Sequence, residues 1–264
     1  MLKFCSLYSG STGNSLLVQS DCTKILVDAG ESAKKIENAL SSIAVDIASL
    51  DGILVTHEHT DHVKSLETIS RKYNIPVFAD RETWDAMPKQ KDKIEEKNQK
   101  NFQVTEKFTI GDLEILPFSI PHDAANPCGF NIWNNSTKLS IATDLGHMTK
   151  DILTKLENSS FLLLESNYDP EILKLCSYPY VLKERISGPN GHLSNITAGK
   201  TISYLLQTGL KNVMLGHLSK ENNFPELAYQ TVAQELMSNH YDENTFSLSV
   251  ASRFCPSKVI DVTN

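Results

Sequence analysis

The sequence predicts an α/β fold in which two β-sheets lie face to face and helices cover their outer sides. Short apolar runs typical of strands alternate with segments of helical spacing in both halves of the chain. Predicted strands also end repeatedly in a histidine or an acidic residue, namely Asp28, His57, His122, Asp144, Glu165 and His217. One such ending can be a simple cap, whereas this repetition predicts a shared rim built from distant parts of the chain.

The first half contains the elements that lead into a histidine cluster. A strand is predicted over 52–56, directly before the cluster, and apolar residues at helical spacing predict a helix over 63–73 behind it. The charged stretch 81–100 is expected to be a solvated helix or loop. The other expected elements are strands at 4–8, 15–19, 24–28 and 75–79, a helix at 33–40 and a short helix near 46–50.

The second half repeats this alternation of strands and helices. Residues 134–136 read Asn-Asn-Ser and predict a hairpin turn between two strands. Helices are expected over 150–156, from about Ser194 onward, and over 225–237. The predicted strands cover 108–110, 113–120, 128–133, 138–143, 161–164, 212–215 and 246–250.

Size and composition favour one domain over residues 1–264 and a cytoplasmic protein. The 264 residues are 40% hydrophobic, which is ample for a buried core. No stretch approaches the ~18 apolar residues of a membrane span, and the start lacks the apolar core of a signal peptide. The five cysteines are scattered and never spaced Cys-x-x-Cys, so neither a disulfide framework nor a thiolate zinc site is predicted.

The net charge of −7 argues against a broad basic surface for nucleic acid. It does not exclude a phosphate-bearing substrate. Two bound divalent ions would add about four positive charges within a cleft and reverse the local field there.

The residues from 56 to 62 read Thr-His-Glu-His-Thr-Asp-His and form a candidate metal site. Imidazole nitrogens and carboxylate oxygens suit divalent ions, so His57, His59, Asp61 and His62 can serve two ions if the backbone turns sharply. Glu58 points to the opposite face of an extended segment and is left out. A helical His-Glu-x-x-His zinc motif does not fit, since Asp61 stands where its second histidine belongs. The alternative is a surface loop rich in histidine.

The sequence Thr-His-x-His-x-Asp-His resembles the signature of the metallo-β-lactamase superfamily. Asp28, His122, Asp144 and His217 stand in the order of that family's other ligand motifs. Further stretches resemble its YycJ/WalJ subgroup: those at 9–15, 164–169, 182–188, 191–195 and 215–219. The resemblance implies a four-layer αββα sandwich and a small hydrolase associated with 5′→3′ exonuclease activity on DNA. Tyr168 departs from the subgroup pattern, which has histidine after Glu-Ser-Asn.

The resemblance also implies a binuclear centre. One ion would be held by His57, His59 and His122, and the second by Asp61, His62 and His217. Asp144 would bridge the two ions, and Asp28 would support the histidine loop from behind. Histidine at position 59, where oxygen-reducing relatives carry glutamate, favours hydrolysis. The ligand types accept zinc, manganese or iron.

The mechanism expected for such a centre is attack on a phosphodiester by a hydroxide that two ions share. Asp61 and Asp144 would hold the metal and the water, and His192 is the candidate for protonating the departing oxygen. Alternatively, His192 is a packed histidine with a backbone hydrogen bond. Two other functions stay open, namely hydrolysis of a thioester, lactone or cyclic phosphodiester, and a non-catalytic protein that binds metal or nucleic acid. His147 and His240 are expected to be ordinary surface or capping residues.

Overall fold

The computed structural model describes residues 1–239, 241 and 246–262. Within these residues the strands form two seven-stranded sheets. The strands are β1 Leu2–Tyr8, β2 Ser15–Gln19, β3 Lys24–Val27, β4 Gly52–Leu54, β5 Val77–Asp80, β6 Gln99–Phe102, β7 Phe108–Ile110, β8 Leu113–Ser119, β9 Cys128–Asn134, β10 Thr137–Ala142, β11 Phe161–Glu165, β12 Asn212–Gly216, β13 Ser247–Val250 and β14 Ile260–Val262.

The helices lie outside the two sheets. Single 3₁₀ turns occur at Ile47–Ser49 and Glu96–Asn98. The α-helices are α1 Ala33–Ser42, α2 Thr60–Val63, α3 Leu66–Tyr73, α4 Arg81–Ala86, α5 Pro88–Lys91, α6 Lys150–Leu156, α7 Pro170–Leu175, α8 Tyr180–Ser187, α9 Asn195–Leu206 and α10 Pro225–Ser238.

Burial divides the core into layers that follow the alternation of side chains along the strands. Phe4 and Phe161, from β1 and β11, meet between the sheets with ring centroids 4.7 Å apart. The opposite face of the first sheet packs on α1 and α3, and that of the second sheet packs on α6, α9 and α10. The predicted arrangement of two facing sheets with outer helices is therefore confirmed.

The two sheets have the same internal plan, which gathers strand ends at one edge. Strands β3 to β6 run parallel, as do β10 to β13, and the remaining strands of each sheet pair antiparallel. Strand β8 is antiparallel to β9, and β9 is antiparallel to β10, so β8 and β10 run in the same direction. Residues that follow β3, β4, β8, β10, β11 and β12 consequently share one rim, as the sequence predicts.

Two strands differ from the sequence prediction. Residues 81–100, expected to be a solvated helix or loop, form two short helices, a 3₁₀ turn and the start of β6. Strand β14 was not expected, and it pairs antiparallel with β1. Among the described residues, no helix combines the length and apolar character that crossing a membrane requires.

Candidate metal centre

The loop between β4 and α2 brings the predicted histidines to the rim of the sheets. His57 follows β4, and His59 is the N-cap residue of α2, so the chain turns from extended to helical within the cluster. His62 Nε2 lies 3.6 Å from Asp61 Oδ2. His57, Asp28 and His62 are almost completely buried, whereas Asp61 and His59 are partly open to solvent.

The structure brings the expected ligands together. In each of the following sets, one ligand atom per residue lies within 4.8 Å of the others: His57, His59 and His122; Asp61, His62 and His217; His57, His62 and Asp144. The first two sets contain the residues that the family resemblance assigns to the two ions. Asp144 Oδ2 lies 3.3 Å from His62 Nε2, and its Oδ1 lies 3.6 Å from His122 Nε2 and 3.5 Å from His217 Nε2. This carboxylate thus lies within 3.6 Å of residues from both sets.

Asp28 lies behind the cluster and fixes it in place. Its Oδ1 accepts a hydrogen bond of 2.9 Å from the backbone N–H of Thr56, and its Oδ2 accepts one of 2.9 Å from Thr56 Oγ1. His62 Nδ1 donates to the same Oδ2 at 2.7 Å. Because Nδ1 is engaged in this way, Nε2 is the nitrogen that His62 offers to a cation.

The loop between β1 and β2 supports the cluster through backbone contacts. Asn14 N donates to Asp61 O at 2.8 Å, and Gly30 N donates to Asn14 O at 2.8 Å. A Cβ added to Gly30 would stand 1.6 Å from Asp61 O, so only glycine permits this approach. The loop at 9–15 therefore packs closely against the backbone around Asp61 and holds it in place.

Three of the cluster's polar residues adopt a strained backbone conformation. Asp28, Asp144 and His217 have φ angles of 65°, 58° and 54°, in the left-handed region that side chains other than glycine rarely occupy. Each such residue costs about 1–3 kcal/mol and persists only where the surroundings enforce it. Of the eight non-glycine residues with positive φ in the described part of the chain, three thus end strands at this one rim, as strained residues at functional sites do.

The buried polar atoms of the cluster fit a divalent cation. His57 Nε2, Asp144 Oδ2 and His217 Nε2 are buried and have no hydrogen-bond partner. Buried polar atoms in proteins almost always have a partner, and an unpaired one costs about 1–3 kcal/mol. Imidazole nitrogen and carboxylate oxygen are divalent-metal ligands, so coordination would satisfy all three atoms at once.

The local charges also favour a cation. Burial alone would lower the pKa of His217, but Asp144, Asp61 and Glu165 outweigh burial and raise the pKa to about 10. Asp144, despite its burial, has a pKa well below the ordinary value because His217 and His62 lie beside it. Burial lowers the pKa of His57, which keeps its imidazole in the neutral form that binds metal. The carboxylates thus favour positive charge in their midst.

Glu165 belongs to the site, although the sequence marks it only as an acid at a strand end. Its Oε1 accepts hydrogen bonds from His192 Nδ1 at 2.9 Å and His217 Nδ1 at 2.7 Å. Its Oε2 accepts from the backbone N–H groups of Leu145 at 2.7 Å and Leu193 at 3.0 Å. Burial would raise the pKa of this carboxyl, but the two histidines lower it to about 2, so Glu165 is ionised. The carboxylate therefore fixes the orientation of both imidazoles.

His192 lies at the edge of the cluster with its side chain 20% exposed. Its backbone N–H donates to Ile186 O at 2.8 Å, and its Nδ1 lies 3.8 Å from Asp144 Oδ1. Both alternatives for this residue thus have a structural basis, since it has a backbone hydrogen bond and a partly open ring. His147 is exposed, and its Nδ1 bonds to Pro189 O. His240 lies outside the described residues.

Comparisons with known proteins place this cluster in a family context. Residues 23–218 match the family model described as "Beta-lactamase superfamily domain". The chain is 39% identical over 235 residues to exodeoxyribonuclease YycJ of Bacillus anthracis, covering 89% of each protein. It is 38% identical over 236 residues to exodeoxyribonuclease WalJ of Streptococcus pneumoniae, covering 89% of this chain and 88% of that one. The metallo-beta-lactamase fold protein YhfI of Bacillus subtilis has the same fold, with a TM-score of 0.69, 16% identity and coverage of 98% and 100%.

Proposed function

Since the chain belongs to the beta-lactamase superfamily, we propose that it is a metal-dependent hydrolase that degrades DNA as a 5′→3′ exonuclease. The observation that carries this proposal is the convergence of the predicted ligands on one rim, with unpaired buried atoms facing one another. Relatives that share 38–39% of their residues over 89% of this chain bear the name exodeoxyribonuclease. Cleavage polarity and the number of ions are part of the proposal.

The proposed ligands are those of the two geometric sets. His57, His59 and His122 would hold one ion, and Asp61, His62 and His217 the other, with Asp144 between them. Zinc and manganese both accept this set of ligands, and so does iron. When bound, two such ions polarise a phosphoryl oxygen and lower the pKa of water to near neutrality.

The chain's own residues supply the proton for the departing oxygen. Glu165 is ionised and accepts the Nδ1–H of His192, so Nε2 is the nitrogen that faces away from this carboxylate. To act as an acid, the ring would carry a proton on both nitrogens, give the one on Nε2 to the departing oxygen and keep the one on Nδ1. The side chain of His192 is 20% exposed, which allows Nε2 to reach a bound substrate. Protonation by a side chain held in this way contributes about 10²–10⁴-fold to a rate.

A panel of substrates tests the proposed function. The purified protein, with zinc or manganese added in turn, is incubated with duplex and single-stranded DNA labelled at either end, with RNA, with a cyclic dinucleotide and with a thioester. We expect 5′-labelled DNA to release its label as a mononucleotide. DNA labelled at the 3′ end should become progressively shorter from its 5′ end and keep its label until late in the reaction. Both reactions should stop when a chelator is added. Preferential hydrolysis of the thioester or cyclic phosphodiester, or DNA binding without any cleavage, would contradict the proposal.

His192→Ala tests the proton donor. We expect turnover on DNA to fall by about 10²-fold or more, because the deoxyribose oxygen leaves poorly unless it is protonated. Metal content should stay at the wild-type value. Hydrolysis of bis(p-nitrophenyl) phosphate should fall much less, since nitrophenolate leaves without a proton. The measurements are steady-state rates on both substrates and metal analysis by mass spectrometry.

His147→Ala is the matched control for this experiment, because His147 is exposed and is not in any of the ligand sets. It should leave both rates unchanged. Loss of metal in His192→Ala would make His192 a ligand. Equal losses of rate on the two substrates would give it a positioning role only.

A further inference from the structure

A cavity of about 530 Å³ lies between α7 and α8, the helices that separate Glu165 from His192 in the chain. Its volume is within the range of about 300–1,000 Å³ that is usual for ligand pockets. Its wall carries three tyrosines and two lysines, namely Tyr168, Tyr178, Tyr180, Lys174 and Lys183. We refer to this cavity as the tyrosine groove.

Helix α8, on one side of the tyrosine groove, is unusually exposed to solvent. None of the residues of α8 is buried, and Tyr180 and Val181 are 74% and 79% exposed. Leu175, at the end of α7, is 80% exposed. Large apolar and aromatic side chains in one patch are typical of a binding surface. Tyr180 in particular offers a ring to a ligand and does not stabilise the core.

The charge of the tyrosine groove differs from that of the whole protein. Within the described residues, neither Lys174 nor Lys183 forms an ion pair, and Lys183 Nζ instead donates to Lys174 O at 2.7 Å. Glu184 is the acidic residue in the wall. In a chain of net charge −7, two lysines without carboxylate partners beside aromatic rings favour an anionic ligand that also has flat faces.

Backbone and side-chain contacts tie the groove to the candidate metal centre. The carbonyl of Ile186, in α8, accepts the backbone N–H of His192 at 2.8 Å. Arg185 Nε donates to Asp123 Oδ2 at 2.6 Å, and Asp123 is the neighbour of His122 in the chain. On the opposite wall, the carbonyl of Tyr168 accepts the N–H of Asn195 at 2.9 Å. A ligand in the groove is therefore held by elements that directly adjoin the catalytic residues.

We propose that the tyrosine groove binds a single-stranded segment of the DNA substrate, with bases stacked on the rings of Tyr178 and Tyr180 and phosphates near Lys174 and Lys183. This inference rests on the proposed function and specifies how the substrate is held. It favours a single strand, because the bases of a duplex are stacked on one another and cannot reach a side-chain ring. It also gives a role to the stretch at 182–188, which the ligand sets leave unexplained.

The test is equilibrium binding of a labelled phosphorothioate oligodeoxythymidine of about 15 nucleotides, a length suited to one single-strand site. Fluorescence anisotropy is measured on the metal-loaded protein, and the phosphorothioate backbone resists cleavage. Tyr180→Ala and the double variant Tyr178→Ala/Tyr180→Ala should bind about 5-fold to 100-fold more weakly, the loss expected from base–aromatic stacking. Tyr180→Phe should bind like the wild type, because it retains the ring. A duplex of equal length should bind more weakly than the single strand.

The contribution of Lys174 and Lys183 is tested by the salt dependence of the binding affinity. Each lysine that neutralises a phosphate of a single strand contributes about 0.7 to the slope of log affinity against log salt. Lys174→Gln/Lys183→Gln should therefore reduce that slope by about 1.4. Tyr229→Ala and Lys200→Gln replace exposed residues on α10 and α9, outside the groove wall, and should leave binding and slope unchanged.

The outcomes separate this inference from the proposed function, since binding of an uncleavable strand does not depend on catalysis. Wild-type protein that degrades DNA while Tyr180→Ala binds normally would overturn the groove and leave the nuclease intact. If the protein cuts no DNA but binds the oligonucleotide through the groove, the proposed nuclease activity is overturned and the groove is retained. Failure of the wild type to bind the oligonucleotide, or tighter capture of a peptide than of DNA, would overturn the inference.

Discussion

Replacing Asp144 by alanine is expected to abolish DNA cleavage and to lower the metal content of the protein. Asp144 has oxygens 3.3–3.6 Å from ring nitrogens of His62, His122 and His217. His122 belongs to one proposed ion position, and His62 and His217 belong to the other. Its removal takes away the negative charge that both positions share. The rate should fall by about 10³-fold or more, because the ions that would stabilise the transition-state charge are then held poorly. Wild-type protein purified without chelator should contain close to two divalent ions per chain, and the variant fewer.

The backbone of Asp144 complicates the alanine variant, and a second substitution removes that ambiguity. With φ at 58°, the position suits aspartate or asparagine better than alanine. Asp144→Asn keeps the shape and the backbone preference and removes the charge, so it should lose activity to nearly the same extent. Asp151→Ala, an exposed acid in the first turn of α6, should be indistinguishable from the wild type. Full activity and two ions in Asp144→Asn would show that Asp144 does not bridge.

The ligand cluster could be predicted from sequence because its chemistry is local. Four candidate ligands stand within 57–62, and the others follow apolar strands whose carboxyl ends meet in an α/β sheet. Their assignment to two ions came from the family resemblance and stays a prediction. The pairing of Glu165 with His192 and His217 could not be derived, because the residues are 27 and 52 positions apart and an acid after a strand is usually a cap.

Strands β6 and β14 could not be predicted from the spacing of apolar residues in the sequence. Strand β6 reads Gln-Lys-Asn-Phe and has exposed polar residues, because it lies at the edge of its sheet beside β5. Strand β14 has three residues and forms its ladder with β1, at the opposite end of the chain. Strand β6 lacks the apolar alternation that marks a half-buried strand, and the alternation Ile-Asp-Val of β14 is too short to indicate one. Their pairing is set by tertiary contacts, which single-sequence patterns do not report.

Glu165→Gln is expected to be as damaging as loss of a ligand, although glutamine has nearly the same shape. Each carboxylate oxygen of Glu165 accepts two hydrogen bonds, one oxygen from two imidazoles and the other from two backbone N–H groups. A glutamine amide has one oxygen, so in either orientation its NH₂ group faces two donors. Opposed donors and a lost buried charge together cost about 3–5 kcal/mol. Thermal or denaturant unfolding in chelator should show this loss.

Metal affinity and fold stability are measured separately in Glu165→Gln. A loss of metal affinity would show that Glu165 positions a ligand and does not only stabilise the fold. With the support of His217 Nδ1 removed, affinity for zinc or manganese should fall by about 10–100-fold, the usual effect of losing the group that orients a histidine ligand. Titration with a metal indicator at a temperature where the variant is folded measures this directly. Glu226→Gln, an exposed acid in the first turn of α10, is the matched control and should change neither quantity. If Glu165→Gln loses stability while its metal affinity stays at the wild-type value, His217 is oriented by something other than this carboxylate.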